Sequence, residues 1–437
     1  MSVHLAKGTR DHLPDAMRSR LVVMDRLRGV FERHGFAPLQ TPAIERIETL
    51  LGKYGDEGSK LIFKILKRGK GGERGECDMA LRYDLTVPLA RVVAMNPALP
   101  MPFKRWQMAP VWRAERPGRG RFREFVQCDI DIVGAASVAA EAEVLATLAD
   151  AYAAVGLPDW RVRINDRRLL RALAMSVDAS DRETDLLVAV DKLDKIGRDG
   201  VARELAERGF DDAAVQGVWK VLDVATDDRE AVLHHLAATL PGDEVAAAIA
   251  DLRELLELAT ALGVPADRMV VDPTLARGLD YYTGPVFEVE LTDGGIGSVG
   301  GGGRYDGLVG IFGKRTVPAV GFAVGLERLL VVLEERGELP GQDSGPDVFV
   351  TVFDAERRVH SARAAARLRA AGLSVEMTLD HGKLGKQFKR ADAENARWVV
   401  TIGPDEAASG TWALKHLVSG DRHTLTPAEA IERMRGA

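Results

Sequence analysis

The stretch FKRWQMAPVWRAERPGRGRFREFVQCDIDIVG, residues 103–134, limits the possible folds of this chain more than any other. Two strand-like runs flank residues 116–120, where a proline, two glycines and basic side chains make a loop. The pattern predicts two long strands joined as a hairpin. Side chains alternate faces along a strand. Phe125, Gln127, Asp129 and Asp131 therefore share one face, as do Val111, Arg113 and Glu115 on the partner strand. An aromatic ring beside a glutamine, two carboxylates and an arginine is not a core face. It has the polar content of a small-molecule site, or of a solvated sheet face.

The surrounding sequence sets this hairpin among several units. At 437 residues the chain is too long for one ordinary domain, and 46% apolar residues supply several cores. Ahead of the hairpin, Met17, Leu21, Met24, Leu27 and Phe31 recur at steps of three and four, predicting a helix that ends near Gly35. Pro38 and Pro42 in the strand-like FAPLQTPAIE suggest a sheet edge or an interface. After the hairpin come an alanine-rich helix over residues 139–155 and the strand RVRIND. Residues 167–263 are helical and charged, and read as an inserted module without a catalytic pattern. Strands resume at DRMVVD and VFEVEL, and a helix is predicted over residues 322–336. GELPGQDSGPD is a linker by composition. Beyond it the βαβαβ alternation predicts a small domain with a largely parallel sheet. The expected division is 1–166, 167–264 for the insertion, 265–337, a linker 338–346, and 347–437.

Charge and cysteine content exclude several classes. A net charge of −6 argues against a general polyanion binder, so any nucleic-acid partner must meet local basic patches. One such patch is HGKLGKQFKR, in the C-terminal segment. Two cysteines in unrelated contexts imply neither a disulfide framework nor a zinc site, and no resident metal is expected. The first residues carry charges where a signal peptide needs its apolar run. No segment approaches the roughly 18 apolar residues of a membrane span. The cytosol is the expected compartment, with no membrane association.

Two further stretches carry chemistry. ARGLDYYTGPVFEVEL brings Arg277, able to hold a phosphate or carboxylate oxygen, next to the phenols of Tyr281 and Tyr282. Seven of the ten residues over 294–303 are glycine, followed by Arg304 and Tyr305. This run lacks the Gly-Lys-Ser/Thr ending of a phosphate loop and opens no helix. It fits close backbone approach to a ligand within an antiparallel sheet. Arg328 stands in the otherwise apolar VGFAVGLERLL, either on a helix surface or as an anion clamp.

These residues resemble a known family. WRAERPGRGRFREF is similar to motif 2 of the class II aminoacyl-tRNA synthetases, VGFAVGLERLL to motif 3, and the region of FAPLQTPAIE, with Pro42, to motif 1 at a dimer interface. RGLDYYTG together with GGGRYDGL resembles the signature pair of the histidyl-tRNA synthetase family. LRYDLTVP, VDKLDK and GKLGKQFKRAD fit the same family, and the likeness spans nearly the whole chain. It implies an α+β catalytic domain, an antiparallel sheet with flanking helices, carrying a helical insertion and followed by an anticodon-binding α/β domain.

The resemblance also implies roles. Histidine and ATP would form histidyl-adenylate, and histidine would then pass to the 3′ end of its tRNA. Arg113 and Arg277 would be catalytic, facing the α-phosphate from opposite sides. Asp84, Thr86 and Gln127 would receive the amino acid's ammonium, and Leu85 would also belong to the histidine-binding set. Asp131, Tyr281 and Tyr282 would serve the imidazole, with Asp131 where a glutamate is common in bacterial members. Phe125 would stack on adenine and Glu115 would read its amine, while Arg121 and Arg328 hold the triphosphate. Mg²⁺ would arrive with the nucleotide. Arg116 and Arg119 would meet the acceptor end, and Lys383, Lys386, Lys389 and Arg390 the anticodon. A homodimer is implied, and DNA is not an expected partner.

Overall fold

The structure, a computed structural model, describes residues 3–224, 226, 228–276, 281–293, 295–313, 315–341, 345–380 and 382–436, with side chains left aside at 55–57. The chain divides into a large compact unit, Met1–Leu13 with Arg20–Pro340, and a small one, Pro14–Ser19 with Gly341–Ala437. No described helix is long and apolar enough to cross a membrane.

The large unit is built on one eight-stranded sheet. Its strands are β1 (Ala37–Pro38), β2 (Phe103–Trp112), β3 (Glu124–Val133), β4 (Trp160–Asp166), β5 (Met269–Val271), β6 (Pro285–Leu291), β7 (Ser298–Arg304) and β8 (Ala319–Gly325). Their order across the sheet is β1-β2-β3-β8-β7-β6-β4-β5. The six inner strands are antiparallel, while the short edges β1 and β5 pair in parallel. The hairpin β2–β3 holds ten residues in unbroken register, from Phe103 opposite Val133 to Trp112 opposite Glu124.

The glycine run forms β7 in the middle of this sheet. A Cβ at Gly302 would fall 2.1 Å from the Gly321 carbonyl oxygen, so the close pairing of β7 with β8 requires its absence. The bare stretch Gly300–Gly301 leaves room above the sheet for a cavity.

Helices cover the sheet. In α1 (Pro14–Arg33) the buried stripe is Val23, Leu27, Val30 and Phe31. Met17 and Leu21, expected on that stripe, are exposed. Cutting Leu27 to alanine would cost about 2–5 kcal/mol of such packing. α2 (Thr86–Met95) and α3 (Ala139–Ala154) follow, then six described helices between Arg167 and Ala261. Their apolar faces share one core with α3, Leu252 and Leu255 clustering with Leu145 and Leu148. The helix expected over residues 322–336 starts later, as α4 (Leu326–Glu335). Phe322–Gly325 belong instead to β8, between β3 and β7. A continuous apolar run suits a buried strand as well as a helix, and here the sheet claims its first half.

The small unit carries strands β9 (Val348–Val350), β10 (Val375–Met377), β11 (Trp398–Thr401), β12 (Trp412–His416) and β13 (Arg422–Leu425). Their order is β10-β9-β11-β12-β13. The first three are parallel, as expected, and a hairpin adds two antiparallel strands. Helices α5 (Arg358–Ala370) and α6 (Leu384–Ala393) lie between the parallel strands in sequence.

Candidate functional site

A cavity of about 360 Å³ opens above β3, β7 and β8. Asp84, Thr86, Arg113, Glu115, Arg121, Phe125, Gln127, Asp131, Tyr281, Tyr282 and Arg328 all line it. They come from four stretches distant in sequence, 84–86, 113–131, 281–282 and 328, and the antiparallel sheet brings them together.

The deep end is acidic and buried. Asp131 is buried and accepts a hydrogen bond from the Tyr305 hydroxyl. Its other oxygen lies 2.7 Å from a guanidinium nitrogen of Arg105, which is itself fully buried. Arg105 and Asp131 stand directly opposite each other in the β2–β3 register. On the other side Asp131 faces Gly321, where a Cβ would sit 1.9 Å from the carboxylate. Gly321 thus gives the acid its seat. Burial raises the Asp131 carboxyl to about 6, with Arg105 and Tyr305 opposing the rise. Burial pushes neighbouring Asp129 well above the carboxylate range, and the Asp131 charge adds to this.

Asp84 closes the same end. One of its oxygens accepts from the Tyr54 hydroxyl at 3.0 Å and from the Val87 N–H at 3.0 Å, in the first turn of α2. The Tyr281 hydroxyl donates to the other at 3.4 Å. Burial raises the Asp84 carboxyl, while the Val87 N–H and Arg113 hold the rise back. Burial also keeps Tyr281 and Tyr282 protonated, as hydrogen-bond donors.

Arg113 stands in the middle. Its Nε donates to the Tyr83 carbonyl at 3.1 Å, and its guanidinium lies 4.4 Å from the Tyr83 ring and 5.2 Å from the Phe125 ring. Aromatic faces of this kind hold a cation in place without neutralising it.

The outer end is open and basic. Arg121 is half exposed and 3.7 Å from Glu115. Arg328 projects from α4 and donates to the Ser298 carbonyl. Beside it, Glu327 accepts from Arg20 at 2.6 and 2.8 Å, from Arg10, and from the Val126 N–H at 3.3 Å. Burial alone would raise the Glu327 carboxyl, but Arg20 and Arg10 hold it below the usual range.

Other expected residues lie elsewhere. The Leu85 side chain is not on the cavity wall; it is buried against Ala109 and Val111, and its carbonyl accepts from Arg105 at 3.2 Å. Arg304, expected near a ligand, is tied to Glu141 of α3 at 2.5 and 2.6 Å. Arg277 lies outside the described residues. Arg116 is exposed, and Arg119 pairs with Glu335. In the small unit Lys383, Lys386, Lys389 and Arg390 are exposed at or within α6, with Arg390 paired to Glu376 and Glu394. Trp412 of β12 lies in the core of this unit.

Three contributors were not singled out from the sequence: Arg105, Tyr54 and the Arg10–Arg20–Glu327 group. Arg105 was within reach. Extending the strand alternation back from Val111 brings Gln107 and Arg105 opposite Asp129 and Asp131.

Comparison with known proteins adds the following. Residues 8–329 match the family model of histidyl-tRNA synthetase, and residues 347–436 match that of an anticodon-binding domain. The chain is 39% identical over 448 residues to the histidine–tRNA ligase of Cytophaga hutchinsonii, covering 98% of this chain and 99% of that one. It is 41% identical over 428 residues to that of Aeropyrum pernix, covering 98% and 96%. The crystal structure of histidyl-tRNA synthetase from Nostoc sp. PCC 7120 matches with a TM-score of 0.84 at 33% identity, covering 100% of this chain and 99% of that one.

Proposed function

The chain belongs to the histidyl-tRNA synthetase family, and from that premise we propose how its residues ligate histidine to tRNA. The observation that carries the proposal is that one cavity combines a buried acidic end, a ring-held Arg113 and an open arginine end. Those are the needs of a zwitterionic amino acid with a polar ring, set beside a triphosphate.

Histidine enters the deep end. Its ammonium meets Asp84, Thr86 and Gln127, and the Gln127 carbonyl oxygen has no protein partner among the described residues. Its imidazole needs one partner at each ring nitrogen, and Asp131 and Tyr282 supply them, with Tyr281 beside them. Hydrogen-bonding groups in a dry site reject analogues that cannot pair with them by about 10⁴-fold. Leu85 serves through its position between Asp84 and Thr86 rather than through its side chain.

ATP lies toward the open end. Phe125 stacks on adenine, Glu115 accepts from its amine, and Arg121 and Arg328 hold the bent triphosphate. The histidine carboxylate attacks the α-phosphorus and pyrophosphate leaves. Arg113 holds both reacting groups, and Arg277 stabilises the charge that develops on the opposite side. A hydroxyl of the terminal adenosine of the tRNA then attacks the acyl carbon and releases AMP.

Mg²⁺ would come bound to the nucleotide, held chiefly by phosphate oxygens and water. The two carboxylates of the outer wall are already engaged, Glu115 near Arg121 and Glu327 with Arg20. When bound, the ion neutralises charge on the pyrophosphate side.

The proposal extends to partners. Residues 1–166 and 265–337 form the catalytic core around the insertion 167–264, and 338–346 link it to an anticodon reader, 347–437. Lys383, Lys386, Lys389 and Arg390 supply phosphate-binding cations beside the anticodon, and Arg116 and Arg119 face the acceptor end. The enzyme works as a cytoplasmic homodimer, with Pro42 near the interface. Histidine-dependent exchange between pyrophosphate and ATP tests the reaction. Exchange with histidine alone among the amino acids is expected, and no exchange with any would overturn the reading. Arg277→Ala should nearly abolish exchange in a folded protein.

A further inference from the structure

Arg105 has no task in the scheme above, and burying it is costly. It is fully buried, and its Nε and Nη1 groups have no hydrogen-bond partner among the described residues. Taking a guanidinium out of water costs several kcal/mol, and buried ion pairs often add nothing to stability over apolar residues of the same size. Stability alone therefore gives a weak reason for an arginine here.

The surroundings supply another reason. Three buried carboxylates, those of Asp84, Asp129 and Asp131, line one cavity. The groups facing Asp131 are Arg105 on β2, Asp129 on β3, Tyr305 after β7, Tyr282 before β6 and Asp84 before α2; β8 presents only Gly321. Arg105 and Arg113 act on this group of acids, Arg82 acts on Asp129, and Arg113 is committed to the reacting carboxylate and phosphate. Of these cations only Arg105 pairs with Asp131 among the described residues.

We propose that Arg105 is a positioning residue for amino-acid selection: it holds the Asp131 carboxylate, ionised and aimed, where the imidazole N–H must donate. The proposal rests on the ligase reading and deepens it. Arg105 reaches no substrate itself. Its Nη2 braces Asp131 from behind and anchors on the Leu85 carbonyl at 3.2 Å, while Tyr305 fixes the second oxygen. The sign of its effect on charge follows. Arg105 opposes the rise that burial imposes on Asp131. Removing it sends that carboxyl further up, so the acceptor is lost over a wider range on the acid side.

The test is the pH profile of kcat/KM for histidine in the exchange reaction, at saturating ATP, for the wild type, Arg105→Met and Arg105→Lys. Arg105→Met should raise the KM for histidine at pH 7 by roughly 10–100-fold, the range of a hydrogen bond to a charged group. KM for ATP should stay within about twofold, an effect of almost no free energy. The acid limb should move to higher pH and the penalty should shrink as pH rises. Ionisation of free histidine is common to all variants and cancels. Arg105→Lys, which keeps the charge, should bring the limb back toward the wild type. A penalty equal at every pH, or shared equally by histidine and ATP, would overturn the proposal while the ligase reading stands. A wild type inactive with histidine would overturn both. Arg105→Gln runs the same comparison should the methionine variant not fold.

Discussion

The two ends of the cavity are built on opposite principles. At the deep end Asp84, Asp131, Tyr305 and Arg105 are buried: Tyr305 donates to Asp131, Arg105 forms an ion pair with it, and Asp84 accepts from Tyr54 and Tyr281. At the outer end Arg121 and Glu115 are partly exposed and 3.7 Å apart. Water screens the outer charges, so they attract a triphosphate without demanding one geometry. The deep charges are unscreened, and each depends on its partner. On the proposed reading, selectivity belongs to the deep end and electrostatic capture to the outer one. Substitutions at the two ends should therefore differ in size, in the substrate affected and in their response to salt.

The largest effect should come from the deep end. Asp131→Asn leaves Arg105 as an uncompensated buried charge, a loss of about 3–5 kcal/mol in such pairs. The expected outcome is a fall in kcat/KM for histidine of two or more orders of magnitude, with KM for ATP little changed. A larger effect on ATP than on histidine would break the division between the ends. Next comes Glu327→Gln, which strips Arg20 and Arg10 of their carboxylate. The melting temperature should drop, by an amount corresponding to roughly 2–4 kcal/mol; an unchanged melting temperature would show that the network does not support the fold.

Smaller effects sharpen the comparison. Asp131 takes a proton at about pH 6, so below that value the wild type should lose histidine affinity while its ATP affinity persists. Equilibrium binding of each ligand between pH 5 and 8 reads this once the histidine data are corrected for protonation of its own imidazole, at about 6.5. At the outer end, Arg121→Ala should raise KM for ATP by about 3–10-fold at low salt, and by less at 0.5 M salt, where screening is stronger. A salt-independent penalty would place Arg121 in the deep class. The smallest effect belongs to the small unit. Lys386→Ala should raise KM for tRNA by about two- to fivefold, typical of one exposed phosphate contact. Amino-acid activation should be untouched.

Much of this was legible in the sequence, and the reasons are physical. Period-two alternation marked β2 and β3 and sorted Gln127 and Asp131 onto one face. The glycine run was expected in an antiparallel sheet with its backbone close to a ligand; it is such a strand, and at Gly302 the close approach is to the Gly321 carbonyl of β8. The failures share one cause: sequence pattern reports local periodicity and not what an element packs against. Phe322–Gly325 continue an apolar run into α4, and nothing local separates the buried strand from the helix. Leu85 stands between two site residues, yet its side chain points into the core. Arg304 stands next to Tyr305 but serves Glu141 on the opposite side of the strand. Tyr54 acts on Asp84 from thirty residues away in sequence, a contact no window could show.

The central claim is that one cavity binds histidine at its buried acidic end and ATP at its exposed basic end. A crystal structure with histidine and a non-hydrolysable ATP analogue tests it most directly. The account predicts the imidazole between Asp131 and Tyr282, the adenine on Phe125, and the triphosphate along Arg121 and Arg328. An imidazole lying away from Asp131, with the carboxylate still closed on Arg105 and Tyr305, would contradict it.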